Sequence, residues 1–442
     1  MTAFSEQRFV TSWGRVKRQR NDVARPRFSD EIARLMAENV PSLLGIGLGR
    51  SYGDSALNAR GSLVDMTALD RIIAFDPQTG LIRADAGLTL GELLRVTVPH
   101  GYFLPTTPGT RFVTLGGAVA NDVHGKNHHT AGTFGASVTR IGLYRSDRGL
   151  VEIAPSEESE LFAATVAGLG LTGLIAWVEL KLAPIGSAWL SAVTTAFSGY
   201  DEFMALARAS TATAEHTVAW IDCTSAGRKG GTRGLFSRAN WLTDGHLEPH
   251  RDSAARSLPV ELPALAINPW TLKAFNTLYY TAGALKSGRR RVHYAPFFYP
   301  LDQLRNWNRA YGRRGFYQYQ CVVPYADADR AIPEMLTEIA GSGQGSCLAV
   351  LKTFGCKVSP GLMSFPREGV TLALDFPNRS AATHLLFERL DAIVSTAHGR
   401  LYPAKDGRMP AAMFRAGFPA LDQFSKQIDP KFQSDFWRRM ST

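Results

Sequence analysis

The most informative stretch of this chain is Thr114-Leu-Gly-Gly-Ala-Val-Ala-Asn-Asp-Val-His-Gly-Lys-Asn-His-His129. Gly116, Gly117 and Gly125 remove side chains from a segment in which three histidines and a lysine are concentrated. A backbone without side chains can approach a flat ligand closely, and histidine exchanges protons near neutral pH. The stretch therefore indicates a backbone surface against a large flat cofactor, with proton-handling groups beside it.

A second glycine-rich loop lies upstream in the segment Ser42–Asp54, where an apolar run leads into glycines at positions 45, 47, 49 and 53. Such a loop can turn its N–H groups inward and hold a pyrophosphate. The pattern that follows predicts an α+β arrangement rather than regular βαβ units. The predicted strands are Leu63–Asp65, Ile72–Asp76 and Leu81–Ala86, and the predicted helix runs from its cap at Thr89 to Val96.

The segment Gly168-Leu-Gly-Leu-Thr-Gly173 has the spacing of a dinucleotide-binding fingerprint. That fingerprint should follow a strand and open a helix. Here a helical pattern, Glu157–Val166, precedes the glycines, and alternating apolar residues from Ile175 onwards predict a strand after them. The context excludes a nicotinamide-binding Rossmann unit. Two interpretations stay open: a second backbone approach to the same ligand, or an ordinary turn.

Length and composition place the chain among globular proteins of about two domains, because 442 residues with 45% hydrophobic content can bury a sizeable core. We expect no transmembrane helix and no signal peptide, and hence a cytoplasmic start. The cysteines show no CxxC spacing, which favours reduced, buried thiols over disulfides. They are Cys223, Cys321, Cys347 and Cys356.

The formal charge of +10 leaves three classes of anionic partner open: nucleic acid, a membrane surface or a phosphorylated substrate. We expect no nucleic-acid partner, because recognition-helix patterns, RNP-type motifs and long basic tracts are missing. The pair His128 and His129 does not predict a metal site, since adjacent histidines point in different directions and no carboxylate pair accompanies them.

Three segments in order, Gly45–Ser55, Pro108–His129 and Gly168–Ile175, resemble the vanillyl-alcohol-oxidase-type (PCMH-type) FAD-binding superfamily. Four further motifs resemble, within it, the decaprenylphosphoryl-ribose oxidase family: His124-Gly-Lys-Asn-His-His129, Trp307-Asn-Arg-Ala-Tyr-Gly312, Gln318-Tyr-Gln320 and Leu401-Tyr-Pro-Ala-Lys-Asp406. The resemblance implies a two-domain α+β fold. Its FAD-binding domain would comprise residues 1–188 and 400–442, and an inserted substrate domain, residues 189–399, would carry an antiparallel sheet with helices on one face.

Many members of this superfamily attach FAD covalently through the histidine of a Gly-His-Ser sequence in the first glycine loop. Here that place reads Gly49-Arg50-Ser51, so we expect non-covalent FAD and an Arg50 that turns to phosphate or to Asp54. The resemblance implies the following cofactor-binding residues: Gly45, Gly47, Gly49, Arg50, Ser51, Tyr52, Gly53, Asp54, Ser55, Gly109, Thr114, Leu115, Gly116, Gly117, Asn121, Asp122, His124, Ile175 and Tyr402.

The implied reaction is oxidation of the 2'-hydroxyl of a polyprenyl-phosphoryl-β-D-ribose to the 2-keto sugar. It is the first half of an epimerisation to the arabinose donor, completed by a separate NAD(P)H-dependent keto-reductase. We expect Lys405 to act beside the reacting hydroxyl, as a base or as a holder of the oxyanion. The other expected site residues are His124, Tyr52 and Gln320 for catalysis, and Lys126, Gln318, Lys352, Thr371, Trp220 and Phe298 for the substrate.

Two features bear on the substrate. Thr371 and Ala373 stand where well-known family members have an asparagine and a cysteine, so thiol-directed capture at position 373 should fail. The segment 262–300 mixes aromatic and basic residues and suits a lipid tail, a phosphate and an anionic membrane surface, although a core helix with a solvated basic loop remains open. Two alternatives also stay open: oxidation of a free sugar, alditol or aldonolactone, and glycolipid binding without turnover.

Overall fold

The computed structural model describes residues 4–225, 231–251, 256–263 and 266–442. Residues 264 and 265, within the apolar and basic segment 262–300, therefore lie outside the described residues. The described chain forms three main sheets, one after another along the sequence, and two short strand pairs. The last part of the chain returns to the first sheet. The helices of the described chain are α1 (Ser29–Ala37), α2 (Leu90–Thr97), α3 (Leu115–Ala120), α4 (His128–Ala131), α5 (Ser159–Thr165), α6 (Tyr200–Ser210), α7 (Pro269–Leu285), α8 (Tyr294–Phe298), α9 (Tyr325–Gly341), α10 (Ala381–Thr396), α11 (Ala411–Gly417), α12 (Leu421–Ser425) and α13 (Asp435–Met440).

The first sheet has the order β1-β2-β4-β3 and ends at the first glycine loop. Its strands are β1 (Glu6–Thr11), β2 (Arg18–Ala24), β3 (Leu43–Ile46) and β4 (Ser62–Asp65). The short buried strand β3 runs parallel to β4, and the chain turns into the glycine loop directly after Ile46. The strand expected before this loop is confirmed.

The second sheet has the order β5-β6-β10-β8-β9 and packs against α2 and α3. Its strands, together with the short pair β7 and β11, are β5 (Ile72–Asp76), β6 (Leu81–Asp85), β7 (Tyr102–Phe103), β8 (Val138–Arg145), β9 (Gly149–Ile153), β10 (Leu174–Lys181) and β11 (Ala183–Pro184). The expected helix α2 is confirmed with its cap, because Thr89 and Glu92 form a capping box. The glycines 168–173 lead into β10, as the pattern predicted.

The third sheet is antiparallel throughout, in the order β16-β12-β14-β13-β19-β20-β18-β21. Its strands, together with the short parallel pair β15 and β17, are β12 (Trp189–Ser198), β13 (His216–Asp222), β14 (Arg233–Trp241), β15 (Arg256–Ser257), β16 (Gly288–His293), β17 (Leu304–Arg305), β18 (Phe316–Val323), β19 (Ala349–Phe354), β20 (Gly369–Pro377) and β21 (Arg400–Leu401).

The resemblance implied that the helices lie on one face of this sheet, and this expectation is wrong, because helices cover both faces. Helices α6, α9 and α10 cover the face that carries Phe236, Leu351 and Leu372. Helix α7 lies on the opposite face, where Gly283 packs closely on Leu235. Side chains alternate between the faces of a strand, so consecutive residues such as Leu235 and Phe236 serve two different surfaces. The face with α7 forms a cavity wall.

The C-terminal segment joins the large sheet to the N-terminal one. Strand β21 pairs with β18 at the edge of the large sheet. Beyond it, Phe432 bridges to Leu43 of β3, and the backbone N–H of Asp435 donates to the Leu57 carbonyl. The predicted division into residues 1–188 with 400–442 and residues 189–399 stays a prediction.

A buried carboxylate ties three distant parts of the chain together. Asp54, from the first glycine loop, is fully buried and pairs with Lys17 at 2.7 Å and with Arg439 of α13 at 2.8 Å. Arg439 also pairs with Asp406 at 2.9 Å. Burial alone would raise the pKa of Asp54, but hydrogen bonds and charges from Arg439 and Lys17 lower it below its usual value. The network holds the glycine loop against the C-terminal segment.

We expect Asp54→Asn to reduce the free energy of unfolding by about 2 kcal/mol, because the charged hydrogen bonds that Lys17 and Arg439 donate to the buried carboxylate are lost. A carboxyl with a lowered folded pKa stabilises the protein above its unfolded pKa and loses that effect as pH falls through the folded pKa. The difference from wild type in urea unfolding should therefore be largest near neutral pH and shrink below about pH 4. The exposed Asp422→Asn is the matched control; equal stabilities of Asp54→Asn and this control at neutral pH would contradict the assignment.

Candidate active site

A cavity of ≈ 1200 Å³ lies between the two glycine-rich loops and the α7 face of the large sheet. This volume exceeds the usual range for pockets that hold one small molecule. The glycine loops, the start of β10 and the segment 402–405 line one end. The large sheet, α7 and the segment 296–307 line the other. The cavity therefore has room for an extended dinucleotide with a substrate beside it.

The glycine-rich end has the properties of a pyrophosphate cradle. A side chain at Gly47 would approach Thr114 Oγ1 to 2.4 Å, so the two loops touch only because this residue has no Cβ. Gly49 has a φ of +62°. Within the described residues, the backbone N–H groups of Leu48, Gly49 and Arg50 donate to no protein oxygen. Free N–H groups in such a loop are the donors that phosphate oxygens need.

Arg50 lines this end, but the expected pairing with Asp54 is wrong, while the expected contact with phosphate stays a prediction. Its guanidinium lies 4.0 Å from the Trp13 ring centre, and its Nε donates to the Phe112 carbonyl at 3.1 Å. Asp54 instead faces the C-terminal segment, where Lys17 and Arg439 hold it. Burial lowers the pKa of Arg50, against the opposing charges of Asp302 and Tyr52.

Most of the predicted site residues meet in the cavity wall. Those from the glycine-rich end are Gly45, Gly47, Gly49, Arg50, Ser51, Tyr52, Ser55, Gly109, Thr114, Gly116, Gly117, Asn121, His124, Ile175 and Tyr402. Lys405 joins them from the segment 402–405, and those from the substrate end are Gln318, Gln320, Lys126, Lys352, Trp220 and Phe298. Leu169, Gly170 and Gly173 also line it, which favours the backbone-approach interpretation of the 168–173 glycines over an ordinary turn.

Five predicted residues lie behind the wall rather than in it. Gly53 is pressed against the Asp406 carbonyl, where a Cβ would clash at 1.4 Å. Leu115 is buried in the core of the second sheet, and Asp54 belongs to the ion network. Asp122 accepts hydrogen bonds from Ser359 and Ser364 and from the Gly135 backbone. Thr371 is 1% exposed and lies 3.4 Å from Gln320 Nε2, so it supports that amide instead of reaching the cavity.

His124 links the cofactor end to the substrate end. Its Nε2 lies 3.0 Å from Gln320 Nε2, and its Nδ1 lies 3.2 Å from Lys352 Nζ. Burial, followed by the charge of Lys352, holds the pKa of His124 well below its ordinary value. The imidazole is therefore neutral, and one ring nitrogen accepts a hydrogen bond from the lysine.

Three lysines face the cavity with no carboxylate within ion-pair distance among the described residues. Burial and then the charge of Lys352 lower the pKa of Lys126 to about 7. Burial and then the charge of Lys405 lower the pKa of Lys352 to about 7. Burial lowers the pKa of Lys405 to about 8, against the opposing charge of Asp375. A bound anion would stabilise the charged form of these lysines, because its negative charge offsets the cost of desolvation and the mutual repulsion.

The ammonium group of Lys405 lies on an aromatic surface. Its Nζ is 3.9 Å from the centre of the Tyr52 ring, a cation–π distance. The backbone N–H of Tyr52 donates to the Ala404 carbonyl, which fixes the glycine loop next to the Lys405 segment. The two predicted catalytic residues are thus neighbours although they are far apart in sequence.

Asp375 is a site residue that sequence reasoning missed. It lines the cavity at 1% exposure, and its Oδ1 accepts from Gln318 Nε2 at 2.6 Å. Its Oδ2 has no hydrogen-bond partner among the described residues. Burial raises the pKa of Asp375 to about 7, while Gln318 and the charge of Lys405 act to lower it. A signal was present, since a carboxylate between Leu374 and Phe376 is unexpected in a buried strand.

Aromatic side chains and one cysteine line the substrate end of the cavity. Trp220 donates through its indole N–H to the Cys347 carbonyl at 3.0 Å and packs against Tyr279 of α7. Phe298 belongs to an aromatic cluster and also lines the cavity. Cys347 lines the cavity, and Cys356 is exposed, so the expectation of buried thiols is wrong for Cys356.

Comparison with known proteins agrees with this geometry. Residues 23–153 match a family model described as an FAD binding domain. The chain is 37% identical to decaprenylphosphoryl-beta-D-ribose oxidase of Mycolicibacterium smegmatis over 429 residues. The aligned region covers 92% of this chain and 91% of that protein. The chain belongs to the decaprenylphosphoryl-ribose oxidase family. Its members are flavoproteins of the PCMH type, and the recognition and the α+β fold class from the sequence are confirmed.

Two other relatives share parts of the family sequence. An uncharacterised protein of Streptomyces coelicolor is 32% identical over 373 residues, 80% of this chain and 100% of that protein. A putative D-arabinono-1,4-lactone oxidase of Neurospora crassa is 28% identical over 148 residues, 33% of this chain and 26% of that protein. Membership of the family makes this protein an FAD-dependent oxidoreductase that acts on a CH–OH group. None of the helices that the structure describes is long and apolar enough to cross a membrane.

We expect acid precipitation of the purified holoenzyme to leave FAD in the supernatant, because Arg50 occupies the place of the histidine that forms the flavin link in related loops. The measurement is the visible absorbance of pellet and supernatant. A covalently flavinylated relative with the usual Gly-His-Ser loop serves as control. A yellow pellet from this protein would contradict the prediction.

Proposed function

We propose that this protein oxidises the 2'-hydroxyl of a polyprenyl-phosphoryl-β-D-ribose to the 2-keto sugar. The observation that carries the proposal is the pair of lysines, Lys126 and Lys352, at the substrate end of a cavity that fits FAD. Neither has a carboxylate partner among the described residues, and a sugar phosphate would supply the missing negative charge. The named activity of the Mycolicibacterium smegmatis relative agrees with this choice.

FAD bound in the cavity supplies the hydride acceptor. The protein's own task is to take the hydroxyl proton as the carbonyl forms. Lys405 is the residue placed for this step, because its lowered pKa leaves a substantial neutral fraction near pH 8. The Tyr52 ring, 3.9 Å away, holds its Nζ in position.

Gln318 and Gln320 orient the sugar. Both side chains line the cavity from β18, two residues apart and therefore on one face of the sheet. Gln318 is fixed by its hydrogen bond to Asp375, and Gln320 by its contacts with His124 and Thr371. Amides held in this way present their remaining donors and acceptors to ribose hydroxyls.

The alternative substrate class is a free sugar, alditol or aldonolactone. The similarity to a putative D-arabinono-1,4-lactone oxidase covers only a third of this chain, and such substrates have no phosphate for Lys126 and Lys352. We therefore favour the phosphorylated substrate.

The 2-keto product needs a second oxidoreductase to complete the epimerisation to the arabinose donor. We propose a separate NAD(P)H-dependent keto-reductase as that partner, since the 168–173 glycines line the flavin cavity and do not open a nicotinamide-binding helix. We further propose a cytoplasmic or peripheral location at the inner membrane, because a polyprenyl substrate is anchored in the bilayer.

We expect a short-chain prenyl-phosphoryl ribose to bleach the flavin absorbance of the anaerobic holoenzyme, and free ribose, alditols and aldonolactones to leave it unchanged. The 2'-deoxy analogue of the phosphoryl sugar is the matched control, since it keeps the phosphate and lacks the reacting hydroxyl. Bleaching by a free sugar or aldonolactone alone would overturn the substrate assignment.

We expect the rate of flavin reduction in wild type to rise with pH and level off above about pH 8, because neutral Lys405 accepts the proton. Lys405→Met should lower this rate by ~10²–10⁴-fold while FAD stays bound.

Asp375→Asn removes the charge that raises the pKa of Lys405. In this variant the rise of the flavin-reduction rate with pH should therefore move to lower pH. The exposed Lys426→Met is the control; an unchanged pH limb in Asp375→Asn would count against this pairing.

A further inference from the structure

The outer face of α7 carries large apolar side chains in solvent. Trp270, Leu278 and Leu285 are 81%, 71% and 84% exposed. With 3.6 residues per turn, these three positions fall within an arc of roughly 80° on the helix. Single exposed apolar residues are ordinary, but an aligned group of this size marks an interaction surface.

The inner face of the same helix lines the cavity. Phe275, Tyr279 and Gly283 form part of the cavity wall, and the Tyr279 ring lies 4.7 Å from that of Trp220. Helix α7 is therefore a single layer between the substrate end of the cavity and the surroundings. A molecule bound to its outer face would lie next to the cavity mouth.

The surface around α7 is strongly basic. Between Leu262 and Pro300 the chain has five lysines and arginines and no aspartate or glutamate. Arg289 and Arg290 lie on β16, the exposed edge strand of the large sheet, and neither makes an ion pair within the described residues. Of the nearby acidic groups, Asp244 pairs with Arg291 at 3.0 Å, and the buried Asp222, which accepts from Asn276 of α7, pairs with Arg233 at 3.0 Å. The basic residues that follow Leu285 thus place unpaired positive charge beside one end of the apolar stripe.

We propose that the outer face of α7, with the basic residues of β16, docks on an anionic lipid bilayer. An apolar stripe flanked by unpaired cations complements a bilayer, whose acyl layer takes the apolar side chains and whose headgroups take the charge. Docking would bring the cavity mouth, marked by Lys286 and Arg290, to the headgroup level. The polyprenyl chain then stays in the bilayer while the phosphoryl sugar enters. This role for the mouth rests on the proposed function, whereas docking itself does not.

The test is co-sedimentation of the FAD-loaded enzyme with vesicles of phosphatidylglycerol and with vesicles of phosphatidylcholine. We expect wild type to bind the anionic vesicles at least ~10-fold more tightly and to lose most of that preference at high salt. The triple variant Trp270→Ser/Leu278→Ser/Leu285→Ser should bind the anionic vesicles at least ~10-fold more weakly than wild type. The double variant Lys273→Gln/Arg289→Gln should lose most of the salt-sensitive part of the binding to anionic vesicles.

A triple variant at other exposed apolar positions, Phe9→Ser/Val358→Ser/Leu385→Ser, is the matched control and should bind like wild type. Flavin absorbance checks that every variant is folded. None of the substituted residues lines the cavity, so turnover of a short-chain, water-soluble substrate should be unchanged in all of them. If wild type did not oxidise that substrate, the proposed function would be contradicted, but the vesicle measurement would still test membrane docking.

Wild type that stays in the supernatant with anionic vesicles would overturn the docking proposal. So would an α7 triple variant that sediments like wild type. If the α7 triple variant kept full vesicle binding but no longer worked with the keto-reductase, the outer face of α7 would be assigned to a protein partner and not to the bilayer.

Discussion

The structure depends on one electrostatic constraint: three lysines converge on one cavity, and none of them forms an ion pair with a carboxylate of the described residues. Lys126, Lys352 and Lys405 are each removed from bulk water, and repulsion from a neighbouring lysine adds to the lowering of the first two pKa values. Such an arrangement costs folding free energy unless an anion offsets it. A bound phosphoryl sugar would supply the negative charge that Lys126 and Lys352 lack among the described residues, whereas Lys405 has the partial support of Asp375.

The fold builds this cavity by bringing distant parts of the chain together. Two glycine-rich loops supply a flat backbone wall, and the C-terminal segment returns to place Lys405 on the Tyr52 ring. The Asp54 network fixes that return, because Arg439 of α13 holds both the glycine loop and Asp406. The large sheet presents Gln318 and Gln320 from β18, and Lys352 from β19, on the opposite wall, with β20 between these two strands.

Local patterns in the sequence were sufficient for much of this. The strand before the first glycine loop, the Thr89 cap and the strand after Gly173 follow from spacing, and the family motifs pointed to most of the cavity wall. Contacts between distant segments were not predictable in the same way. The pairing of Asp54 with Arg439 instead of Arg50, and the position of α7 on the cavity side of the sheet, depend on tertiary packing. Asp375 was missed because its neighbours predict an ordinary buried strand.

An experimental structure of the holoenzyme with a 2'-deoxy prenyl-phosphoryl ribose would show whether the lysines bind the phosphate beside the flavin. We expect the isoalloxazine ring to lie against the glycine-rich loops and the phosphate to lie within hydrogen-bond distance of Lys126 and Lys352. The C2' atom should face the flavin beside Lys405. A flavin bound outside the cavity, or a phosphate that contacts neither lysine, would contradict this arrangement.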